Sequence, residues 1–517
     1  MALSDPGAGT APSGWDDVVV GGGSSGAVLA ARLSEQPGRR VLLLEAGTDP
    51  AASEAATGDI PVLSGANWDY SAYVDRPGPA AREYPYPVGR VMGGSSAVNG
   101  ALALRGLPAD FDTWAAAGND AWAWQHVLPY FTRLEADADC KGDEHGTVGP
   151  LPVRRTAPAD LSPLAAAFLR ACAALGLPDA PDLNSTAHPV GAGPIPLNAL
   201  GRRRVSTADA YLTPARTRPN LTVWDRCQVV RVLTEGGRAT GVELLREGRC
   251  DIVHADRVTL CAGAVNTPAV LLRSGIGPAG QLAALGLRPV ADLPGVGENL
   301  TDHAMVALWA LPRPGVCRDG EPMHQVLARV AAAGAPDLNL TLVNNLSGLA
   351  VPGIAEVLRG RDAMSLHATL LTPRSRGTVT LRDAEPGTPP VIALRLASEA
   401  ADVERLMTGM RLVWALVQQA PLGGLLRRVL LWTARMVQDD ALLRSAVTRF
   451  ACPAWHPVGT ARMGPAEDAA AVVDQRLRVH GVAGLRVVDA SVMPSITSAP
   501  TNLSCVMLAE RAAEWMC

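Results

Sequence analysis

The first ordered pattern along the chain is "WDDVVVGGGSSGAVLAARLSEQPGRRVLLLEAG", Trp15–Gly47. Val18–Val20 is a short apolar, β-branched run of the kind that forms a buried strand. Ala27–Leu33 repeats apolar residues at helical spacing, and Val41–Glu45 reads as a second buried strand. The pattern therefore predicts strand, glycine turn, helix, strand. Further along, Asn119–Asp137 predicts an amphipathic helix preceded by a polar turn. Between about 310 and 450, Ala/Leu-rich stretches such as "VLARVAAAG" (Val326–Gly334) predict helices. Pro85–Gly106 is a long small-residue stretch with enough apolar members to predict partial burial. A buried loop of this kind needs partners for its backbone polar groups, and so wraps something.

The turn between the first two elements carries chemistry. Gly21-x-Gly23-x-x-Gly26, with Ser24 and Ser25 inside it, lies between strand and helix. The first glycine permits a tight turn, the second lets backbone approach a pyrophosphate, and the third lets helix pack on strand. Phosphates then meet a helix N-terminus, whose free N–H groups and dipole favour negative charge. Glu45 ends the second strand 19 residues beyond Gly26, placed to accept hydrogen bonds from a ribose diol. The pattern points to a dinucleotide site and by itself leaves NAD and FAD both open.

Composition narrows the rest. The chain has 517 residues, enough for one large or two intertwined domains. Its net charge of −4, with both signs interspersed, gives no footprint for nucleic acid or an anionic membrane. Nine scattered cysteines without a C-x-x-C pair argue against a disulfide scaffold or a metal site. No secretory signal and no bilayer-spanning apolar run is visible, so a cytoplasmic protein is expected, with a disordered leader over 1–13.

The longer motifs carry a family resemblance. "GRVMGGSSAVNGALALRG" (Gly89–Gly106) resembles the first signature of the glucose–methanol–choline (GMC) oxidoreductases, and "GAVNTPAVLLRSGIG" (Gly263–Gly277) resembles the second. "RPNLTV", "GVGENLTDH", "PRSRGTVTL", "HPVGTARMG" and "LRVVDASVMP" follow in family order to the C-terminus. The resemblance implies an α/β fold with a doubly wound, Rossmann-like FAD-binding domain and a second α+β substrate domain, their segments interleaved. It assigns 14–154, 216–309 and 455–517 to the first, and 155–215 and 310–454 to the second. Gly21, Gly23, Ser24, Ser25, Gly26 and Glu45 would hold the ADP half, with Val229 meeting adenine through its backbone. Arg90, Gly93, Gly94, Ser96 and Asn99 would follow the phosphates and flavin, and Asp489 and Ala490 would return to the flavin end. Some members bind flavin covalently through a histidine just before that asparagine. This position is Val98, so FAD is expected to be non-covalent.

By the same resemblance, His456 in "HPVGT" faces the flavin and removes the hydroxyl proton as hydride leaves an alcohol carbon, a task suited to neutral imidazole. The family's second group, His or Asn, stabilises the developing alkoxide. A gap-free count places that position on Pro500, which has no donor, so Asn502 becomes the expected partner. His303 in "TDH" reads as structural or flavin-proximal, and Cys452 as an inert core residue. The expected activity is oxidation of a primary or secondary alcohol, in the manner of the compact bacterial members. Oxygen, a quinone or a carrier remain open as electron acceptor. Two alternatives accompany this reading: a redox-neutral lyase with structural FAD, and a non-catalytic flavoprotein partner.

Overall fold

The computed structural model describes residues 14–50, 66–317, 321–332, 335–346 and 355–517, so the leader 1–13 lies outside the described residues. The predicted opening unit forms as strand β1 (Trp15–Val20), helix α1 (Gly26–Leu33) and strand β2 (Val41–Leu44). Val18–Val20 pair in parallel with Leu42–Leu44 on one side and with Val258–Leu260 on the other. The strands concerned are β3 (Leu221–Trp224), outside β2, and β4 (Arg249–Leu260), inside β1. Leu485–Val487 extends the parallel set beyond β4. The central valines and leucines are buried on both faces, as a parallel sheet covered by helices requires. Cys227–Glu235 and Arg238–Arg246 join the outer half of β4 as an antiparallel meander.

A second seven-stranded sheet is antiparallel throughout. Its centre consists of β5 (Ala304–Pro312), β6 (His324–Ala332), β7 (Ala335–Val343) and β8 (Met364–Leu370), in the spatial order β5-β8-β7-β6. The alternation of side chains divides this sheet cleanly. Val306, Leu308, Leu338, Leu340, Leu366 and Ala368 belong to the same buried apolar cluster as Leu406, Met410 and Val413 of helix α2 (Ala400–Gln418). The intervening residues, among them Met305, Ala307, Trp309, Asn339, Thr341, Ser365 and His367, line a cavity.

Three expectations change. Val326–Ala332 was expected to be helical from its Ala/Leu content and is instead part of β6. Its neighbours on both sides supply a hydrogen-bonding ladder, and Val326, Ala328 and Val330 bury on one face. The helix expected over Asn119–Asp137 is shorter, Trp124–Leu134, after a single turn at Asp120–Trp122 and before a strand at Glu135–Asp137. Strand β5 is unbroken across positions 309 and 310, where the sequence suggested a division. The last helix, α3 (Asn502–Met516), packs beside α1, tied to it by Arg32–Glu510 and by the Ser25 hydroxyl on the Cys505 carbonyl. No helix among the described residues is long and apolar enough to cross a membrane.

Candidate active site

The glycine turn is fixed by close packing. Gly21 has φ +100°, and a Cβ there would lie 2.5 Å from the Cys261 carbonyl oxygen. A Cβ at Gly26 would meet the Gly21 carbonyl oxygen at 1.9 Å, so α1 can start against the strand only with glycine. Gly23 differs: the nearest atom to an added Cβ is Gly94 Cα at 3.7 Å, and the open side faces the cavity. Glu45 is buried at the strand end, its two carboxylate oxygens accepting from the backbone N–H groups of Gly22 and Gly47, each at 2.8 Å. Burial pushes its carboxyl up to about 7, against the pull of those two N–H groups. A carboxylate kept this close to neutrality gains from further donors, such as ribose hydroxyls.

The small-residue loop closes over this turn. The Gly93 N–H donates to the Gly22 carbonyl at 2.7 Å, and the Ser96 hydroxyl donates to the Gly93 carbonyl at 2.6 Å while meeting Thr207 Oγ1 at 3.0 Å. Gly93 and Ser96 thus shape the loop, whereas Arg90, Gly94, Val98 and Asn99 line the cavity. The Arg90 guanidinium sits 4.3 Å from the centre of the Trp68 ring. Val229, Asp489 and Ala490 line the same cavity from other segments. Asp489 accepts from the Gly263 N–H at 2.9 Å and the Thr267 hydroxyl at 2.6 Å, anchoring the start of helix Gly263–Arg273 to the wall.

His456 lines the same cavity, whose volume is about 1140 Å³. Its Nδ1 lies 2.9 Å from Nδ1 of His303, with the two rings 83° apart. His303 Nε2 lies 3.0 Å from the Thr497 carbonyl oxygen. A carbonyl only accepts, so His303 carries its hydrogen on Nε2, and its Nδ1 is a lone pair. His456 must therefore donate from Nδ1, which leaves its Nε2 as the basic nitrogen. Burial pulls the His303 imidazole down to about 4. Burial and the neighbouring imidazole together hold His456 well below the usual histidine range. Both rings are neutral at physiological pH.

The backbone around His456 is held from several sides. Its N–H donates to Asp302 Oδ1 at 2.9 Å, and the Tyr86 hydroxyl donates to Asp302 Oδ2 at 2.5 Å. Trp455 occupies the left-handed region at φ +62°, and its indole N–H donates to the Pro85 carbonyl at 3.1 Å. A bulky residue keeps that conformation only where its surroundings impose it.

Asn502, the expected partner of His456, is placed differently. It opens α3, and its Oδ1 accepts from the Ser24 hydroxyl at 2.8 Å in the glycine turn. The Ser25–Cys505 bond seats the first turn of α3 on that loop, which directs Asn502 towards the glycine turn. Its Nδ2 is buried without a hydrogen-bond partner among the described residues. The group touching His456 is His303, which the sequence reading had set aside, and Asp302 and Tyr86 were not singled out at all. The acid directly before His303 in "TDH" was the available signal.

The bare face of Gly23, the Glu45 carboxylate and the unpartnered Asn502 amide suit a dinucleotide lying along this wall, its phosphates at the turn and its ribose at Glu45. Comparison with known proteins gives the family. The GMC oxidoreductase N-terminal description matches residues 15–305 and the C-terminal one residues 373–509. The chain is similar to 5-(hydroxymethyl)furfural oxidase of Methylovorus sp. (strain MP688), 37% identical, covering 97% of this chain and 98% of that one. It is 35% identical to human mitochondrial choline dehydrogenase, over 96% of this chain and 89% of the other. Among solved structures, pyridoxine 4-oxidase from Mesorbium loti superposes with a TM-score of 0.89 at 34% identity, covering 97% and 99% of the two chains. Members of the family bind FAD, and this chain belongs to the GMC oxidoreductase family as one of its FAD-dependent enzymes.

Proposed function

We propose that the enzyme oxidises a primary or secondary alcohol to a carbonyl compound, with His456 Nε2 as proton acceptor. The observation that carries this reading is a neutral imidazole, its tautomer fixed by His303, in a cavity that the glycine turn also lines. FAD, when bound, supplies the hydride acceptor. Gly23, Ser24, Ser25, Gly94 and Asn502 would hold its phosphate region and Glu45 its ribose. Val98, standing where covalent members place histidine, leaves the attachment non-covalent.

The chain's own task is to place the carbinol and take its proton. Hydroxyl proton removal at Nε2 yields an imidazolium whose Nδ1–H remains bonded to His303 Nδ1. The burial that lowers His456 keeps it unprotonated, and therefore available, down to mildly acidic pH. Trp309, Trp432 and Phe450 on the wall favour a flat, apolar substrate body. The names 5-(hydroxymethyl)furfural oxidase and pyridoxine 4-oxidase point the same way, towards a ring bearing a hydroxymethyl group. We assign residues 14–154, 216–303 and 455–517 to cofactor binding, and 155–215 and 304–454 to the substrate side.

The test is anaerobic. The yellow holoenzyme is mixed with a panel of aryl and alkyl alcohols and the flavin's visible band is followed. Bleaching by an aryl carbinol, lost in His456→Ala, is the expected result, and admitting air then reads whether oxygen accepts the electrons. Tightly bound FAD that no alcohol bleaches would overturn the proposal in favour of redox-neutral chemistry.

A further inference from the structure

The antiparallel sheet presents polar atoms to the cavity that proton removal at His456 does not use. His324 Nδ1 and Asn339 Oδ1 are both buried without a hydrogen-bond partner among the described residues. Their residues are only 9% and 5% exposed, and both line the cavity. In the register His367 lies between their levels, with Thr341 opposite it and its Nε2 2.7 Å from Ser365 Oγ. A buried polar atom left unpaired costs about 1–3 kcal/mol, so such atoms mark a place where a ligand completes the bonding.

We propose that this patch is a second recognition subsite, which binds an uncharged hydrogen-bonding group, such as a hydroxyl, on the part of the substrate remote from the reacting carbinol. The inference rests on the reading that the carbinol lies at His456.

Three features define the group. Asn339 Oδ1 requires a donor, while an imidazole and a hydroxyl can each donate or accept, so the ligand group must do both, as a hydroxyl or an amide does. None of the cavity-lining residues of β5–β8 is acidic, lysine or arginine, and Met305, Trp309 and Leu327 surround the patch. At the Asn339–His367 end an ammonium or carboxylate would be desolvated without a counter-charge from the sheet, which is costly; the buried Arg204 acts on His324, at the outer end. Burial, with the Arg204 guanidinium nearby, pulls His324 down to about 4, and burial with His324 nearby pulls His367 down to about 3, so both imidazoles are neutral.

Position supplies the third feature. Strand β5 begins immediately after His303, and His367 lies opposite Ala307 of that strand. At roughly 3.3 Å per residue, Asn339, level with Met305, lies about 7 Å along the strand from His303, His367 about 13 Å, and His324, level with Trp309, about 20 Å, so the polar strip runs outward from the His456 end. A two- or three-carbon alcohol does not reach both ends, whereas a ring with substituents on opposite sides extends from one towards the other.

The test compares benzyl alcohol with 4-(hydroxymethyl)phenol and 4-(hydroxymethyl)benzoate on the holoenzyme, following anaerobic flavin reduction. The phenol should half-saturate at a concentration about tenfold lower than benzyl alcohol, the worth of one buried hydrogen bond gained. The benzoate should bind more weakly than either. Calorimetry with 4-methylphenol and toluene, which lack the reacting hydroxyl, should show the same tenfold preference without turnover. Asn339→Leu and His367→Phe should each bring the phenol-to-benzyl ratio close to one, and ratios taken within one variant are insensitive to its folded fraction. Asn339→Asp should instead turn preference towards 4-(aminomethyl)benzyl alcohol. Equal affinity for 4-methylphenol and toluene, or a preference surviving both variants, overturns the subsite. If no alcohol bleaches the flavin, the oxidation reading fails, while the calorimetric ratio still decides the subsite.

Discussion

His145 and His456 are both largely shut away from bulk water, yet their surroundings drive them in opposite directions. His145 Nδ1 lies 3.2 Å from Glu135 Oε1 and 3.4 Å from Asp137 Oδ2, and its Nε2 lies 3.0 Å from Asp182 Oδ2. Hydrogen bonds to Asp137, Asp182 and Glu135 push its pKa up to about 11. Arg105 pairs with Glu135, and Arg155 with Asp137 and Asp182, so two guanidiniums face three carboxylates. The proton on His145 makes the cluster neutral. Carboxylates at this spacing could also hold a cation, but two of their three charges are already matched. His456 meets a second imidazole and a carbonyl chain instead, with no acid on its ring, and so stays uncharged. Burial pulls both imidazoles towards neutrality, and only the acids on the His145 ring overrule it. The partners of the ring nitrogens set the difference between the two, and only a ring with a free lone pair can accept a proton.

That contrast breaks most sharply at His456. His456→Ala should slow anaerobic flavin reduction by about 10³-fold, the ordinary worth of a positioned base, with FAD content and thermal midpoint close to the parent. His145→Leu should do the reverse. Removing one member of a buried charge network leaves a carboxylate uncompensated and costs about 3 kcal/mol or more, read by denaturant unfolding, while the folded enzyme reduces its flavin at the parent rate. Stability against pH sharpens the point. The raised pKa of His145 contributes stability that is fully present below about 6.5 and drains away as pH rises towards 11. The lowered pKa of His303 acts oppositely: the unfolded chain takes up a proton below 6.5 that the folded one refuses until about 4, so stability falls with pH across that window. The unfolding profile of His145→Leu should therefore be flatter on the alkaline side, and that of His303→Leu flatter on the acid side.

The two sites were unequally legible in the sequence. The glycine turn and Glu45 stand out because contiguous residues carry their logic, a glycine where only glycine fits or an acid at a strand end, whereas His456 was singled out only through the family resemblance of "HPVGT". The pairing of His456 with His303 spans 153 residues. It depends on Thr301 and Val458 exchanging backbone hydrogen bonds, which no local pattern encodes. Asn502 misled because a count along the chain ignores where a helix starts, and α3 starts there, over the glycine turn. Val326–Ala332 misled because alanine and leucine favour helices in isolation, whereas a ladder on either side overrides propensity. The His145 cluster draws on five segments between Arg105 and Asp182, and single charged residues along a chain read as solvated surface.

The smallest expected effect is also the most specific to this arrangement. His303 touches no reacting atom, and its task is to accept the Nδ1 hydrogen of His456 so that Nε2 stays basic and aimed into the cavity. His303→Leu removes that acceptor. His456 can then hold its hydrogen on either nitrogen, and flavin reduction should slow by about tenfold, the scale on which outer-shell partners of histidine act. His303→Gln supplies a carbonyl oxygen as acceptor and should recover most of that loss. A merely structural histidine would not distinguish the two variants in this way once both are folded. The pH profile gives a second discriminant. The neighbouring imidazole is one of the two causes that lower His456. Deleting it lets the His456 pKa rise towards the ordinary value, and because the base must be unprotonated, the acid limb of the reduction rate should move to higher pH. An acid limb unmoved in His303→Leu, with glutamine no better than leucine, would reduce His303 to packing and leave the tautomer of His456 without its cause.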